Sequence, residues 1–537
     1  MKPGRFAAGL GVLLLAGCRD RNTQALASHT EHHGTVTLPV SCTEAAQIEF
    51  NHAVELLHHM TYPQARVAFE RVAAADPRCA MAQWGIAMTL FQPLWPTRPD
   101  STTRVRGWNA VTEAQALAAP TERESLYIAA TAAFFLDPES TDYWRRIGRW
   151  KEASGRLHAG FPRDDEATAF YALSLLANAP ASNESQENSR EAAELLLGIY
   201  HRNPDHPGAM HYLVHANDAA GRERQSLDVT RKYEEVAPKN PHALHMPTHI
   251  YTRLGDWDGV IRGNLLAADA ALQYPAGDQG QFVWDEFPHA IEYLVYAYLQ
   301  KGLDDSAAVQ LERLRTTARL EPSFKTAFHL SSTQARYALE RRDWKAAAAI
   351  VPRQPPTLDW DRFAWAEAIS QFAHGLGSAH LGRLAEARAA AARIARLDSG
   401  MTTAGEELFA RNIRMLHLEL ASWIAQQQGQ PGVAIALMEA AVELEASTPK
   451  HAVTPGPTLP ANEMLGDLLM LQGKASRALA AYRASLQSYP RRCHGVAGAV
   501  RAARMAGDTA SARAFSKEGD PQCTGLGRNS VSTMTSH

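Results

Sequence analysis

Two short phrases in this 537-residue chain carry residues that could do chemistry: HYLVHAND, starting at His211, and HMPTHIYT, starting at His245. Each sets two histidines four residues apart, and the second begins 34 residues after the first. On a helix, residues i and i+4 stack on one face about 5–6 Å apart. Packed neighbouring helices lie roughly 8–10 Å apart. Two imidazole pairs on adjacent helices can therefore reach one ion. Nitrogen donors beside a carboxylate suit zinc, copper, nickel or iron. The candidate metal ligands are His211, His215, His245 and His249, and the candidate ions are zinc and copper. The same rings can equally anchor an organic ligand, or hydrogen-bond one another in a chain that duplicated them with a repeat.

Other chemistry finds little support. HExxH, the GxSxG elbow, the phosphate-binding loop, the dinucleotide fingerprint and the c-type haem motif are all missing from the sequence. No motif makes any cofactor certain. A hydrolase built on groove histidines remains a third reading, because imidazole can act as acid or base. A formal charge of −3 and a pI near 6.8 argue against nucleic acid as partner.

The elements that must position these histidines come from internal repetition. Ala65, Phe69, Val72 and Pro77 mark a helix with a small residue, two apolar residues a turn apart, and a proline stop. The pattern recurs at Ala192, Leu196, Ile199 and Pro204, and at Ala478, Tyr482, Ser485 and Pro490. A partner helix carries a small residue and ends at a glycine seven residues on, as at Gly466 and Gly473 or Gly375 and Gly382. Further turns fall at Gly221, Gly255, Gly302, Arg342 and Gly429. These spacings resemble the tetratricopeptide repeat, a 34-residue helical hairpin that stacks into a solenoid. The fold expected is all-α, a tetratricopeptide-repeat solenoid of helical hairpins with inserted loops, over residues 42–517. The phrases CAMAQWGIAMTLFQPLW, DHPGAMHYLVHA, HALHMPTHIYTRLGDWD and IEYLVYAYL further resemble a set of exported bacterial tetratricopeptide proteins.

The resemblance supplies a register. With Gly255, Gly221 and Gly302 as turn residues, His211, His215, Asp218, His242, His245, His249, His289, Glu292 and Tyr296 fall where such repeats line a concave groove. Arg253 is the nearest cation for an acidic group. The leading expectation is a scaffold that binds a peptide, protein or small ligand in this histidine-lined groove. A transition-metal protein using the same histidines is the alternative. His58 and His59 read as surface or packing residues.

Proline- and glycine-rich insertions interrupt the repeats at 92–99, 178–188, 273–288, 353–361 and 447–460. The third carries Phe282, Trp284 and Phe287, which suit the edge of a hairpin or the groove itself. At the N-terminus, residues 1–18 read as a signal peptide. Their ending, Leu15-Ala16-Gly17-Cys18, resembles a lipoprotein box in which Cys18 is lipidated. That resemblance implies a membrane anchor in the cell envelope, with Arg19 favouring the outer membrane facing the periplasm. Residues 19–41 read as a flexible tether and 518–537 as a C-terminal tail. Export leaves Cys42, Cys79, Cys493 and Cys523 in an oxidising compartment. Of their three pairings, Cys42–Cys79 with Cys493–Cys523 is favoured, each spanning about one repeat; free buried thiols are the alternative.

Overall fold

The computed structural model describes residues 32–95, 98–140, 142–179, 185–277 and 279–525. The expected signal segment, lipidation at Cys18 and the tail beyond residue 525 lie outside the described residues. Within them the chain is an all-α solenoid of stacked helical hairpins with inserted loops. Consecutive helices pack as hairpins, for example Glu44–His58 on Tyr62–Ala75, Asp165–Asn178 on Ser185–Arg202, and Ala461–Leu471 on Ala475–Ser488.

The residues that marked the repeats are the ones that hold it together. Ala65, Phe69, Val72, Ala192, Leu196, Ile199, Ala478 and Tyr482 are completely buried. The small positions serve close approach: a Cβ added at Gly466 would lie 2.7 Å from the Tyr482 ring. The turns also fall where the register put them. Gly255 ends its helix in the left-handed region at φ 66°, and Arg342 does the same at φ 54° without glycine's freedom.

Two large apolar cores meet in the middle of the chain. Ala243, Met246 and Ile250 pack into the N-terminal one, while Leu244 packs into the C-terminal one. The histidines between them therefore sit at the seam. The solenoid also closes on itself. Trp257 Nε1 donates to the Arg491 carbonyl at 3.1 Å, Arg336 reaches the carbonyls of Gly456 and Pro457, and Arg98 pairs with Glu406 at 3.1 Å.

One expectation changes, and the long insertion and the cysteines take up definite places. The described part of the tether, from His32 to Ser41, is held in place: Val36 and Leu38 are buried, and Thr35 N donates to Asp205 O at 2.9 Å. Its alternating apolar residues find pockets on the first helices, so this stretch is not free chain. The insertion at 273–288 forms a two-residue antiparallel ribbon, Pro275–Ala276 with Phe282–Val283, which bonds onto Arg319 and Glu321. That is the hairpin-edge role, with Phe287 buried beneath it. Both favoured disulfides are formed, Cys42–Cys79 and Cys493–Cys523, and the second holds a short terminal helix, Pro521–Gly525.

Candidate metal centre

Five short helical stretches build the site. Pro207–Asn217 carries His211 and His215; Pro241–His245 carries His242 and His245; Pro247–Leu254 carries His249; Glu286–Gln300 carries His289 and Glu292; Phe324–Glu340 carries His329. The break between the second and third stems from Pro247, whose missing N–H interrupts the helical ladder. His245 and His249 still face one another across it, with Nε2 atoms 3.0 Å apart.

The sequence register placed these residues on an open groove wall, and the structure places them in the interior. His211, His242, His245, His289 and Glu292 are wholly buried, and His249 nearly so. His215 alone of the six central histidines is partly exposed. The concave side is filled by the chain's own insertions. Trp95 packs edge-on to His242 and His289, and Lys450 pairs with Asp218 at 2.7 Å. A peptide could reach these rings only by displacing those segments.

The ring orientations share one logic. On the Nδ1 side three rings donate to an acceptor: His211 to the His58 carbonyl at 2.6 Å, His245 to Asn264 Oδ1 at 2.7 Å, and His249 to Asp218 Oδ2 at 3.0 Å. His242 Nδ1 lies 3.2 Å from Glu286 Oε2, and neither atom makes a hydrogen bond among the described residues. His289 Nδ1 meets His329 Nε2 at 2.9 Å, and His329 Nδ1 in turn meets Glu292 Oε2 at 2.5 Å. With the proton fixed at Nδ1 in His211, His245, His249 and His289, the Nε2 of each presents a lone pair. Those of His245 and His249 point at one another at 3.0 Å, and His211 Nε2 is 3.1 Å from both His215 Nε2 and His242 Nε2. His289 Nε2 has no hydrogen-bond partner among the described residues.

Lone pair against lone pair is repulsive unless a cation gathers them. Two nitrogens 2.0–2.1 Å from one tetrahedral ion would stand about 3.3 Å apart, close to the spacings here. The Nδ1 acceptors are the outer partners that orient metal-bound imidazoles. Burial pushes His211, His215, His242, His245 and His289 well below the ordinary histidine value, reinforced by neighbouring imidazoles or Lys325, so neutral donors are present at neutral pH. Burial alone would raise Asp218, but Lys450, Arg253 and His249 overcome it and hold the carboxylate ionised. Arg336, His329 and Ser332 do the same for Glu292 against its burial.

The nitrogens fall into two sets, each able to offer three ligand atoms within 4.8 Å of one another: His211, His215 and His242, then His245, His249 and His289. The four candidate ligands read from sequence are thus divided between two sets, and His242 and His289, read as groove wall, complete them. Arg253 does not face an open groove; it binds Asp218 at 2.8 Å. Tyr296 stands apart, with its hydroxyl accepting from Arg492 at 2.8 Å. Sequence reading missed His329, Asn264 and Glu286. His329 follows His289 by 40 residues, outside the repeat interval, and Glu286 opens its helix before the register begins.

A third group, His58, Glu166 and His206, is built differently. Glu166 binds His58 Nε2 at 2.6 Å and lies 3.2 Å from His206 Nε2, so the carboxylate already serves both rings. His58 and His59 are buried packing residues, bonded also to Tyr212 and Tyr233.

No family model and no curated protein sequence matches the chain. Among solved structures it is similar to the Cut9–Hcn1 hetero-tetramer of the APC/C, at 12% identity and a TM-score of 0.29, over 90% of this chain and 95% of that one. It is also similar to the human IFIT1 dimer with m7Gppp-AAAA, at 13% identity and a TM-score of 0.37, over 83% of this chain and 90% of that one.

Proposed function

We propose that this chain is a transition-metal-binding protein of the cell envelope whose closed solenoid holds a histidine centre at its seam. One observation carries the reading: the Nδ1 atoms of His211, His245, His249 and His289 face acceptors, while the Nε2 atoms of His245 and His249 stand 3.0 Å apart and that of His289 lacks a hydrogen-bond partner among the described residues. A hydrogen-bonded cluster would alternate donors and acceptors; a ligand set turns its lone pairs inward. Lipidation at Cys18 would tether the protein, most naturally to the outer membrane facing the periplasm, and the two disulfides suit that compartment.

The full chain, purified from the membrane fraction without a polyhistidine tag, should carry stoichiometric zinc or copper by plasma mass spectrometry. The His211→Ala, His245→Ala variant should lose it while keeping its helical circular dichroism. Substoichiometric mixed metal in both proteins would overturn the metal reading. A Cys18→Ala chain should leave the membrane fraction; if it stays, the anchor is elsewhere.

A partner-binding scaffold is the second reading, favoured by an open cleft of about 550 Å³ lined by Arg224, Arg231, Glu234, Tyr251, Asp256 and Arg262. It lies outside the histidine core, so a bound peptide would leave metal content unchanged. A hydrolase would need a free base beside the metal. Asp218 and Glu292 are instead taken by Lys450 and Arg336, and Glu286 binds Lys325 through Oε1.

A further inference from the structure

Six imidazoles are more than one ion of this class takes from a protein, since zinc sites hold three or four ligands. Resting on the metal reading above, we infer that the core binds two late first-row transition ions side by side, one in each three-histidine set, each completed by a small exogenous anion. The sets are contiguous. His242 and His245 share a helix, with ring centroids 6.2 Å apart, and His215 faces His249 at 5.8 Å. Two separate sites on packed helices would stand off by a full interhelical spacing; these rings interleave.

Each set offers three nitrogens, which leaves a four-coordinate ion one position for an exogenous ligand. Charge says what that ligand is. The ionisable neighbours are already balanced: Asp218 holds Lys450 and Arg253, Lys325 holds Asp285 and Glu286, and Arg336 holds Glu292, while burial and the neighbouring Asp285 push Glu321 up to about 8. Two divalent ions add positive charge that no nearby carboxylate is left to offset, so hydroxide or another small anion is drawn into the fourth positions. Donors without thiolate or thioether, all neutral imidazole, favour copper over zinc by the general affinity order. His215, partly exposed, marks the side by which ions and anions enter.

The test uses the full chain stripped by chelator and titrated with copper(II), then with zinc(II) in a parallel sample. Two equivalents of copper should bind. The electron paramagnetic resonance intensity per copper should fall at least two-fold between the first and second equivalents, because adjacent spins couple. Azide should then produce a new absorption band. His215→Gln should remove one equivalent and His289→Gln the other, with intact circular dichroism. A single equivalent, reduced alike by both variants, would overturn the paired centre and leave a mononuclear metal protein. Two equivalents with undiminished, additive signal would place the ions apart and also overturn it. No stoichiometric copper or zinc would sink both this inference and the metal reading. The wild-type stoichiometry and spin signal decide the matter even if a variant fails to fold.

Discussion

At the residue scale, the site depends on which nitrogen of each ring is free, and that is set by groups outside the ligand set. His329 is the sharpest case. It contacts no other histidine of the two sets, yet it links His289 Nδ1 to Glu292 and so turns His289 Nε2 inward. Removing such an outer partner commonly costs 10–100-fold in metal affinity. His329→Gln should therefore weaken the second set by roughly that factor while leaving the first set near its wild-type affinity, as competition with a chromophoric chelator would read. Equal weakening of both sets would mean that His329 acts on packing rather than on His289. Much of this was legible in sequence: the two histidine pairs, Asp218, His242, His289 and Glu292 all followed from one repeat interval. His329 and Asn264 were not, because they sit off that interval, and what matters about them is contact across helices rather than spacing along one.

At the element scale, the repeats were readable because each depends on local spacing, whereas the filling of the groove was not. Lys450 and Trp95 come from insertions with no periodicity, and their destination is decided by charge and shape in the folded chain: Lys450 finds Asp218, and Trp95 finds His242. The segment before the first helix is a similar case. Its apolar residues are two apart, too few to read as an element, but Cys42 ties the segment's end to Cys79. Closing a loop of that 37-residue separation limits the unfolded chain by about 4 kcal/mol in the chain-entropy estimate. The Cys42→Ser, Cys79→Ser variant should lose stability on that order. Hydrogen exchange should quicken first at the Thr35 amide, which bonds to Asp205 O. If exchange quickens evenly along the chain instead, the disulfide stabilises the whole solenoid and not this end of it.

At the scale of the whole molecule, what matters is that a solenoid, open by nature, is here closed, and two buried arginines, Arg336 and Arg492, stand at the closure. Arg492, completely buried, donates to Glu463 and Glu340 at 2.9 Å and to the Tyr296 hydroxyl at 2.8 Å, joining the C-terminal hairpins to the helix Glu286–Gln300. That helix also carries His289 and Glu292. Replacing one partner of a buried ion pair leaves the other charged and unpaired, which typically costs 3–5 kcal/mol. Arg492→Ala strands Glu340 and leaves Glu463 with Arg342 alone, and the cheapest relief is for water to enter between the C-terminal hairpins and the middle of the chain. The variant should melt at lower temperature and scatter X-rays with a larger radius of gyration. Trp257, whose indole donates to the neighbouring Arg491 carbonyl, should shift its emission to the red. Metal should then be lost more readily from the set containing His289 than from the one containing His211. A lower melting temperature with unchanged scattering would mean that other contacts, such as Arg336 to Pro457, suffice to keep the ring shut. Closure and metal retention would then be separate properties, and the burial of the histidines would owe more to the insertions than to the C-terminal hairpins.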